Sequence, residues 1–102
     1  MKYQLVLQLP VSSAEDYDRL LELEELLESG LGNLGIVDGH DMGSREMNRF
    51  IHTDEPKLAF ERARELLGAR NDLLGLKVGY RDFDDDEYVA IYPEGLDRFS
   101  VI

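Results

Sequence analysis

Residues 2–9 read Lys-Tyr-Gln-Leu-Val-Leu-Gln-Leu, and their side chains alternate between the two sides of an extended chain. One side carries Tyr3, Leu5, Leu7 and Leu9, and the other carries Lys2, Gln4, Val6 and Gln8. This period of two is typical of a β-strand that buries one face. Pro10 ends the strand, because proline lacks the N–H that a sheet ladder needs. We therefore predict a half-buried strand whose odd-numbered side chains enter the core.

A first helix is predicted after this strand. Ser12 and Glu15 have the spacing of a capping box, in which each side chain accepts the free backbone N–H of the other residue. The helix then continues to about Ser29, and Gly30 can take the left-handed conformation that closes many helices.

Residues 34–42 and 46–53 are predicted to be two strands joined by a tight turn at Gly43-Ser44. With that turn, Ile36 faces Ile51, Asp38 faces Arg49 and His40 faces Met47. The side of this hairpin expected beneath the helices carries Val37, Gly39, Asp41, Glu46, Asn48, Phe50 and His52.

A second helix is predicted after the hairpin. Thr53 or Asp54 caps it, Pro56 lies in its first turn, and Gly68 or Asn71 ends it. Its apolar stripe consists of Ala59, Phe60, Ala63, Leu66 and Leu67. Two further strands follow, one alternating through Leu76, Val78 and Tyr80 and one over residues 88–92, with the acidic loop 84–86 between them.

The order of elements is thus strand, helix, strand, strand, helix, strand, with one added strand. Because helical crossovers between strands are right-handed, this order favours an α+β, ferredoxin-like βαββαβ sandwich. Both helices are expected on one face of an antiparallel sheet, with an extra C-terminal edge strand. The whole chain, residues 1–102, is predicted to form one domain, a size typical of a single core.

The charge balance restricts the partners. The chain has 22 Asp and Glu against 11 Lys and Arg, a formal net charge of −11. We therefore expect neither nucleic acid nor an anionic membrane as a ligand, since both attract basic residues. No cysteine is present, and no apolar stretch is long enough to span a membrane, so we expect a cytoplasmic protein without disulfides. A basic protein is the favoured partner, steered by Asp18, Glu22, Glu25 and Glu28 of the first helix.

Three motifs suggest chemistry that their context does not support. Residues 30–35, Gly-Leu-Gly-Asn-Leu-Gly, match a dinucleotide fingerprint, but a helix comes before them and a strand after, the reverse of what pyrophosphate binding requires. Asp82, Asp84 and Asp86 begin a calcium loop that lacks its glycine and final glutamate. His40 and His52 are expected on opposite sides of the sheet. We therefore assign no catalytic residue, metal or cofactor.

A polar pocket is the alternative site. On a helical wheel Glu24 falls among the apolar positions Tyr17, Leu20, Leu27 and Leu31. A buried carboxylate needs a partner, and the helix-facing side of the hairpin offers polar side chains beside Gly39. We therefore predict that Glu24, Asp41, Glu46 and Asn48 surround a small ligand-binding or catalytic pocket between the first helix and the hairpin. Alternatively, Glu24 leans out to solvent or bonds a tyrosine.

The sheet face away from the helices is a third candidate surface. It is expected to carry Lys2, Gln4, Val6, Gln8, Ile36, Asp38, His40, Met42, Met47, Arg49, Ile51, Lys77 and Arg81. This set holds no aromatic residue, which argues against the base stacking of RNA-reading domains. Its mixture of apolar and basic side chains suits a homodimer formed sheet against sheet.

Residues 39–60 begin Gly-His-Asp-Met-Gly-Ser-Arg-Glu-Met-Asn-Arg-Phe-Ile-His-Thr-Asp and end in Ala-Phe. Together with the opening Tyr-Gln-Leu-Val-Leu-Gln of residues 3–8, this stretch resembles a group of small bacterial proteins of similar length. That group has no established activity, so the resemblance implies no catalytic or binding residue. Small acidic domains also occur as immunity proteins of bacterial toxin systems, which makes an immunity-like inhibitor one form of the protein-binding hypothesis.

Overall fold

The structure is a computed structural model that describes residues 1–43, 45–68 and 75–101. Within those ranges the chain forms five strands and two α-helices in the predicted order. They are β1 (Tyr3–Pro10), α1 (Ala14–Gly30), β2 (Ile36–Met42), β3 (Glu46–Thr53), α2 (Pro56–Leu67), β4 (Lys77–Asp82) and β5 (Val89–Tyr92). A short 3-10 turn at Gly32–Leu34 links α1 to β2.

The strands form one antiparallel sheet in the order β2-β3-β1-β4-β5. Side chains from α1 and from α2 belong to the same hydrophobic cluster as the odd-numbered residues of β1, so both helices lie on one face of the sheet. The domain is thus α+β, as the sequence predicts, and its architecture is compatible with a ferredoxin-like fold.

The core lies between the sheet and the helices. Its fully buried members from β1, α1 and α2 are Leu5, Leu7, Leu23, Leu27, Ala59, Ala63 and Leu67. The apolar stripes of β1 and α2 are therefore predicted correctly. In α2, however, Leu66 is half-buried rather than buried.

The opposite face of β1 is also covered. Val6 is fully buried although it points away from the helices, because residues 93–101 cross that side of the sheet. Phe99 packs on Gly79, where an added Cβ would lie 2.5 Å from the ring. The backbone carbonyl of Ser100 accepts a 3.0 Å hydrogen bond from Gln8 Nε2. The prediction of an open face is therefore wrong for the half of the sheet around β1 and β4.

The hairpin register differs from the prediction. His40 faces Arg49 rather than Met47, and Met42 now faces Met47. Near the turn, the Gly43 N–H donates to the Glu46 carbonyl, which centres the connection later in the chain than predicted. The predicted turn residue Ser44 itself lies outside the described residues. Further along, a β-bulge between Val37 and Gly39 shifts the register again, and an extra residue of this kind reverses which side of the strand each later side chain occupies.

The two sides of β3 are the reverse of the predicted ones. Met47, Arg49, Ile51 and Thr53 lie opposite the odd-numbered residues of β1 and so face the helices. Asn48, Phe50 and His52 face away, which corrects their predicted places beneath the helices. The prediction for Val37 is correct, since it packs against the core. Phe50 is an aromatic residue on the face where none was expected.

The helix ends differ by a residue or two. The N-cap of α1 is Ser13, not Ser12, and its hydroxyl accepts from the Asp16 N–H. The left-handed glycine after α1 is Gly32 (φ 58°) rather than Gly30. Thr53 does not cap α2 directly, although its hydroxyl accepts from the N–H of the N-cap residue Glu55.

Gly68 follows α2 as its C-cap, as one of the two predicted ends. Asn71, the alternative end, lies outside the described residues. The acidic loop is held by its own carboxylates, since Asp82 Oδ1 accepts from the Asp84 N–H and Asp85 Oδ1 accepts from the Glu87 N–H.

Candidate functional site

The most polar contact beneath the helices joins Glu24, His40 and Arg49. We call these three residues the Arg49 cluster. Glu24 Oε1 lies 3.3 Å from His40 Nδ1 and 3.7 Å from Arg49 Nε. The exposed fractions of the three side chains are 16%, 25% and 5% respectively. A carboxylate, a guanidinium and an imidazole therefore meet in a largely buried site.

Each member reaches the cluster for a local reason. Glu24 lies on the turn of α1 between the buried residues Leu23 and Leu27, which hold that part of the helix against the sheet. His40 faces the helices because the bulge ahead of it reverses the side of β2. Arg49 lies opposite His40 in the register of the hairpin. Cross-strand neighbours of this kind are close enough to act together.

Arg49 is the most constrained of the three. Its Nη1 donates to the Leu20 carbonyl at 2.6 Å, and its Nη2 donates to Met47 Sδ at 3.0 Å. Its Nε is buried and has no hydrogen-bond acceptor among the described residues, so Glu24 at 3.7 Å acts on it through charge alone. Burial lowers the pKa of the Arg49 guanidinium, whereas the nearby Glu24, Glu28 and Tyr17 raise it.

A small cavity of about 10 Å³ adjoins the Arg49 side chain. Its remaining lining is apolar and comes from β1, α1, β3 and α2: Leu7, Leu9, Leu20, Leu23, Leu27, Met47 and Leu67. A space of this size holds about one water molecule. Any larger ligand at this position would have to displace core side chains or approach from the His40 side.

The imidazole of His40 is the part of the cluster best suited to chemistry. When Nδ1 carries the proton, it donates to Glu24 and leaves Nε2 as an acceptor. The ring of Tyr17 meets it edge-on, with the two centroids 6.2 Å apart. A carboxylate that orients an imidazole is a common arrangement for a general base. The sequence signal for this pair was Glu24 on an apolar stripe, but its partner His40 was predicted to lie on the other face.

The four residues of the predicted pocket do not come together. Asp41 and Asn48 lie on the face away from the helices, where Asn48 Nδ2 donates to Asp41 Oδ1 at 3.0 Å. Gln8 Nε2 donates to Asn48 Oδ1 at 2.9 Å, so Asn48, which is fully buried, uses both ends of its amide. Glu46 lies opposite Pro10 near the turn. A single pocket formed by these four residues is therefore wrong, because the sheet separates Glu24 from the other three.

The two histidines lie on opposite sides of the sheet, as predicted, but each is on the side expected for the other. His52 Nε2 is 3.2 Å from Asp38 Oδ2, and its ring meets the Phe83 ring at a centroid distance of 4.9 Å. Beside this pair, Gln4 Oε1 accepts from Arg81 Nε at 3.1 Å and from the Tyr88 hydroxyl at 2.9 Å. These side chains satisfy one another's hydrogen-bonding groups on the face of the sheet away from the helices.

The acidic residues predicted to steer a partner are exposed. Asp18, Glu22, Glu25 and Glu28 lie along the outer surface of α1, which we call the α1 acidic face. A shallow depression on this face is lined by Glu22, Glu25, Leu26 and Ser29. Arg19 is the basic residue of the helix, and its guanidinium lies 3.3 Å from Asp16. The surface thus combines negative charge with a half-buried leucine.

Among residues 1–43, 45–68 and 75–101, no group of three or more His, Asp or Glu side chains is arranged to hold a metal ion. In the same part of the chain, no helix has the length and hydropathy needed to cross a membrane. Comparisons with protein families, with characterised proteins and with solved structures found no match to this chain.

Proposed function

We propose that this chain is an acidic protein-binding domain without catalytic activity, and that it binds a basic protein through the α1 acidic face. The observation that carries the proposal is the row of exposed carboxylates Asp18, Glu22, Glu25 and Glu28 on one helix. A net charge of −11 adds a long-range field of the same sign. Fields of this kind raise the rate at which an oppositely charged partner associates.

The rigidity of α1 supports this role. Leu20, Leu23 and Leu27 are buried on its inner side, so the helix presents its carboxylates from a fixed position. Leu26 supplies apolar surface within the depression between Glu22 and Glu25. Protein interfaces commonly combine an apolar centre with a charged rim, and the rim charges mainly set the association rate.

Two narrower statements belong to the same proposal. The domain is ferredoxin-like, with β5 as an added edge strand, and the order β2-β3-β1-β4-β5 supports this assignment. The protein acts as an immunity-like inhibitor of a basic toxin. The small size and negative charge of the chain support this form of the proposal. The inhibitor form makes one extra prediction, namely that binding abolishes the activity of the partner.

A charge-reversal variant tests the α1 acidic face against net charge. The test variant replaces Asp18, Glu22, Glu25 and Glu28 by lysine. Its matched control replaces the same number of carboxylates in the β4–β5 loop, namely Asp84, Asp85, Asp86 and Glu87, which are also exposed. Wild type and both variants serve as immobilised bait for proteins of the source organism, and bound proteins are identified by mass spectrometry.

We expect a basic protein that binds the wild type and the loop variant but not the α1 variant. Its association rate with wild type should fall steeply between about 20 and 200 mM salt, because screening weakens steering. Equal loss in both variants would attribute binding to net charge and contradict the α1 acidic face. Retention of the same partners by the α1 variant would contradict the proposal altogether.

A small-ligand or catalytic site at the Arg49 cluster is the second candidate function. The observation that favours it is the carboxylate-oriented imidazole of His40, which is one-quarter exposed and lies beside a buried guanidinium. This site uses Glu24, as predicted, but with His40 and Arg49 in place of Asp41, Glu46 and Asn48.

Nuclear magnetic resonance of the His40 ring tests the second candidate. Small carboxylates and phosphates, added to about millimolar concentration, should shift its Hε1 resonance in wild type but not in Glu24→Gln, which loses the orienting carboxylate. His52, which lies on the other face, is the internal control. Equal shifts at both histidines, or none at His40, would reject a ligand site.

A further inference from the structure

Strand β2 lies at one edge of the sheet and is paired on one side only within the described residues, where its neighbour is β3. Its seven residues make it longer than β5, the four-residue strand at the opposite edge. An unpaired edge offers a row of backbone N–H and C=O groups to another extended chain. The β2 edge is therefore a place where a further strand can add.

The side chains of β2 leave this edge accessible. Ile36 is 59% exposed and Met42 is 48% exposed, one near each end of the strand. The sequence of β2, Ile-Val-Asp-Gly-His-Asp-Met, holds no lysine, arginine or proline, which are the residues that usually protect sheet edges. The protective features that β2 does have are the bulge at residues 37–39 and the exposed Asp38 and Asp41, and residues 39–42 remain a regular paired stretch.

Negative charge borders the β2 edge on the face of the sheet away from the helices. Asp38 and Asp41 are exposed on β2 itself. A second copy of this chain would bring the same aspartates to the same edge, and like charges across paired strands are destabilising. A strand that carries lysine or arginine meets the opposite sign.

The geometry points to strand addition: the β2 edge accepts an extended, basic segment of the partner protein as a sixth strand. Its backbone pairs with the outer side of β2, its cationic side chains lie on the face that Asp38 and Asp41 share, and its apolar side chains lie beside Met42 on the helix face. This inference rests on the proposed function, because it describes how part of the basic partner binds. Main-chain hydrogen bonds provide affinity in such complexes, and alternate side chains provide specificity.

Peptides of about nine residues, slightly longer than β2, test the pairing directly. The first peptide alternates lysine and valine. The second has the same sequence with every backbone nitrogen methylated, which keeps the charge and removes the N–H donors along both edges. The third alternates glutamate and valine. Each is added to the full-length ¹⁵N-labelled protein, and amide hydrogen exchange is measured residue by residue.

The lysine–valine peptide should slow exchange of outward-facing β2 amides by about tenfold or more, since new hydrogen bonds protect them. The methylated peptide and the glutamate–valine peptide should leave these amides unchanged. Equal effects of the lysine–valine peptide and its methylated form would overturn strand addition. Protection that appears in β5 instead of β2 would do the same.

Two exposed residues on opposite edges provide matched variants. Ile36→Lys places a cation on β2, and Val89→Lys makes the same kind of change on β5, where the wild-type side chain is 51% exposed. The first should weaken binding of the lysine–valine peptide by about tenfold, because the new cation repels the peptide lysines on the same face. The second should change the Kd by no more than about twofold. Equal weakening by both variants would overturn the assignment to β2.

The alternative occupant of the β2 edge is a second copy of this chain. Sedimentation of the protein without peptide would detect such a dimer. A dimer whose formation protects β2 amides would replace a basic segment by the chain itself and overturn the inference. The proposed function fails separately: the charge-reversed α1 variant would keep its protein partners while the peptide results stay as expected. Loss of partners in that variant, with no peptide pairing at β2, would retain the proposed function and reject strand addition.

Discussion

The two faces of the sheet bury polar side chains in different ways. On the helix side, Arg49 is a buried charge whose Nε lies 3.7 Å from Glu24 and has no acceptor among the described residues. On the other side, Gln8 and Asn48 are neutral amides that bond each other and, in turn, Ser100 and Asp41. A buried ion costs more to desolvate than a buried amide and gives back less when its geometry is imperfect. The buried polar groups on the helix side are thus less completely satisfied than those on the other side.

Loss of Arg49 should have the largest effect. Arg49→Ala leaves Glu24 without its cation and the Leu20 carbonyl without its donor. We expect the free energy of unfolding to fall by about 3 kcal/mol, measured by urea denaturation. The double variant Glu24→Gln/Arg49→Met, which removes both charges, should recover at least about half of that loss, since buried ion pairs are often replaceable by apolar groups. A double variant less stable than Arg49→Ala would show that the ion pair itself is stabilising.

Loss of Asn48 should cost less, because Asn48 itself carries no charge. Asn48→Ala removes the acceptor of Gln8 and the donor to Asp41, and we expect a loss of about 2 kcal/mol. The control is Asp41→Ala, which removes an exposed member of the same network and should cost no more than about 0.5 kcal/mol. If the two variants lose equal stability, the burial of Asn48 does not explain how much its hydrogen bonds contribute to the free energy of unfolding.

Residues 93–101, which cover the face of the sheet away from the helices, provide a third test of how the two faces differ. Gly79→Ala places a Cβ against the ring of Phe99 and should cost about 1.5 kcal/mol, by forcing the ring away from the sheet. In Phe99→Ala the same Gly79 substitution should be close to neutral, because the clash no longer exists. A double-mutant cycle by urea denaturation measures this coupling. Additive losses would contradict contact between the two residues as the cause.

The smallest effect on stability is expected at Asp16, whose hydrogen bonds are exposed and lie on neither face of the sheet. Hydrogen bonds from the Ser12 hydroxyl and backbone N–H lower the pKa of the Asp16 carboxyl, with a smaller lowering by Arg19. A lowered pKa in the folded state stabilises the fold above the ordinary aspartate value of about 4, and this contribution disappears as the pH falls through the folded value. Asp16→Asn should therefore be less stable than wild type near neutral pH.

The difference between wild type and Asp16→Asn should shrink as the pH falls below about 4. Urea midpoints measured across that range provide the check. Ser12→Ala removes one of the two donors from Ser12 and should reproduce part of the loss. A difference that grows at acid pH would mean that the sign of the pKa change is wrong.

The predictions were accurate where a single periodicity decided the structure. The odd-numbered leucines of β1 and the stripe Ala59, Phe60, Ala63 of α2 are buried as expected. In the β2–β3 hairpin, by contrast, β2 alternates weakly and contains Gly39, so neither side of it is distinctly apolar. A register that is weakly specified by hydrophobicity is decided by the turn and by bulges. The predicted pocket failed for that reason, while Glu24 was found because a carboxylate among leucines is conspicuous in any register.

Local periodicity and composition were sufficient for the order of strands and helices, the inner side of each helix and the excess of negative charge, because each depends on residues close together in the chain. Pairing between distant segments decided the rest. The bulge in β2 brought His40 to Glu24, the pairing of β3 with β1 placed Arg49 beneath α1, and Phe99 reached back to cover Gly79. Such contacts join residues up to tens of positions apart, and a displacement by one residue in a strand changes the face on which every following side chain lies.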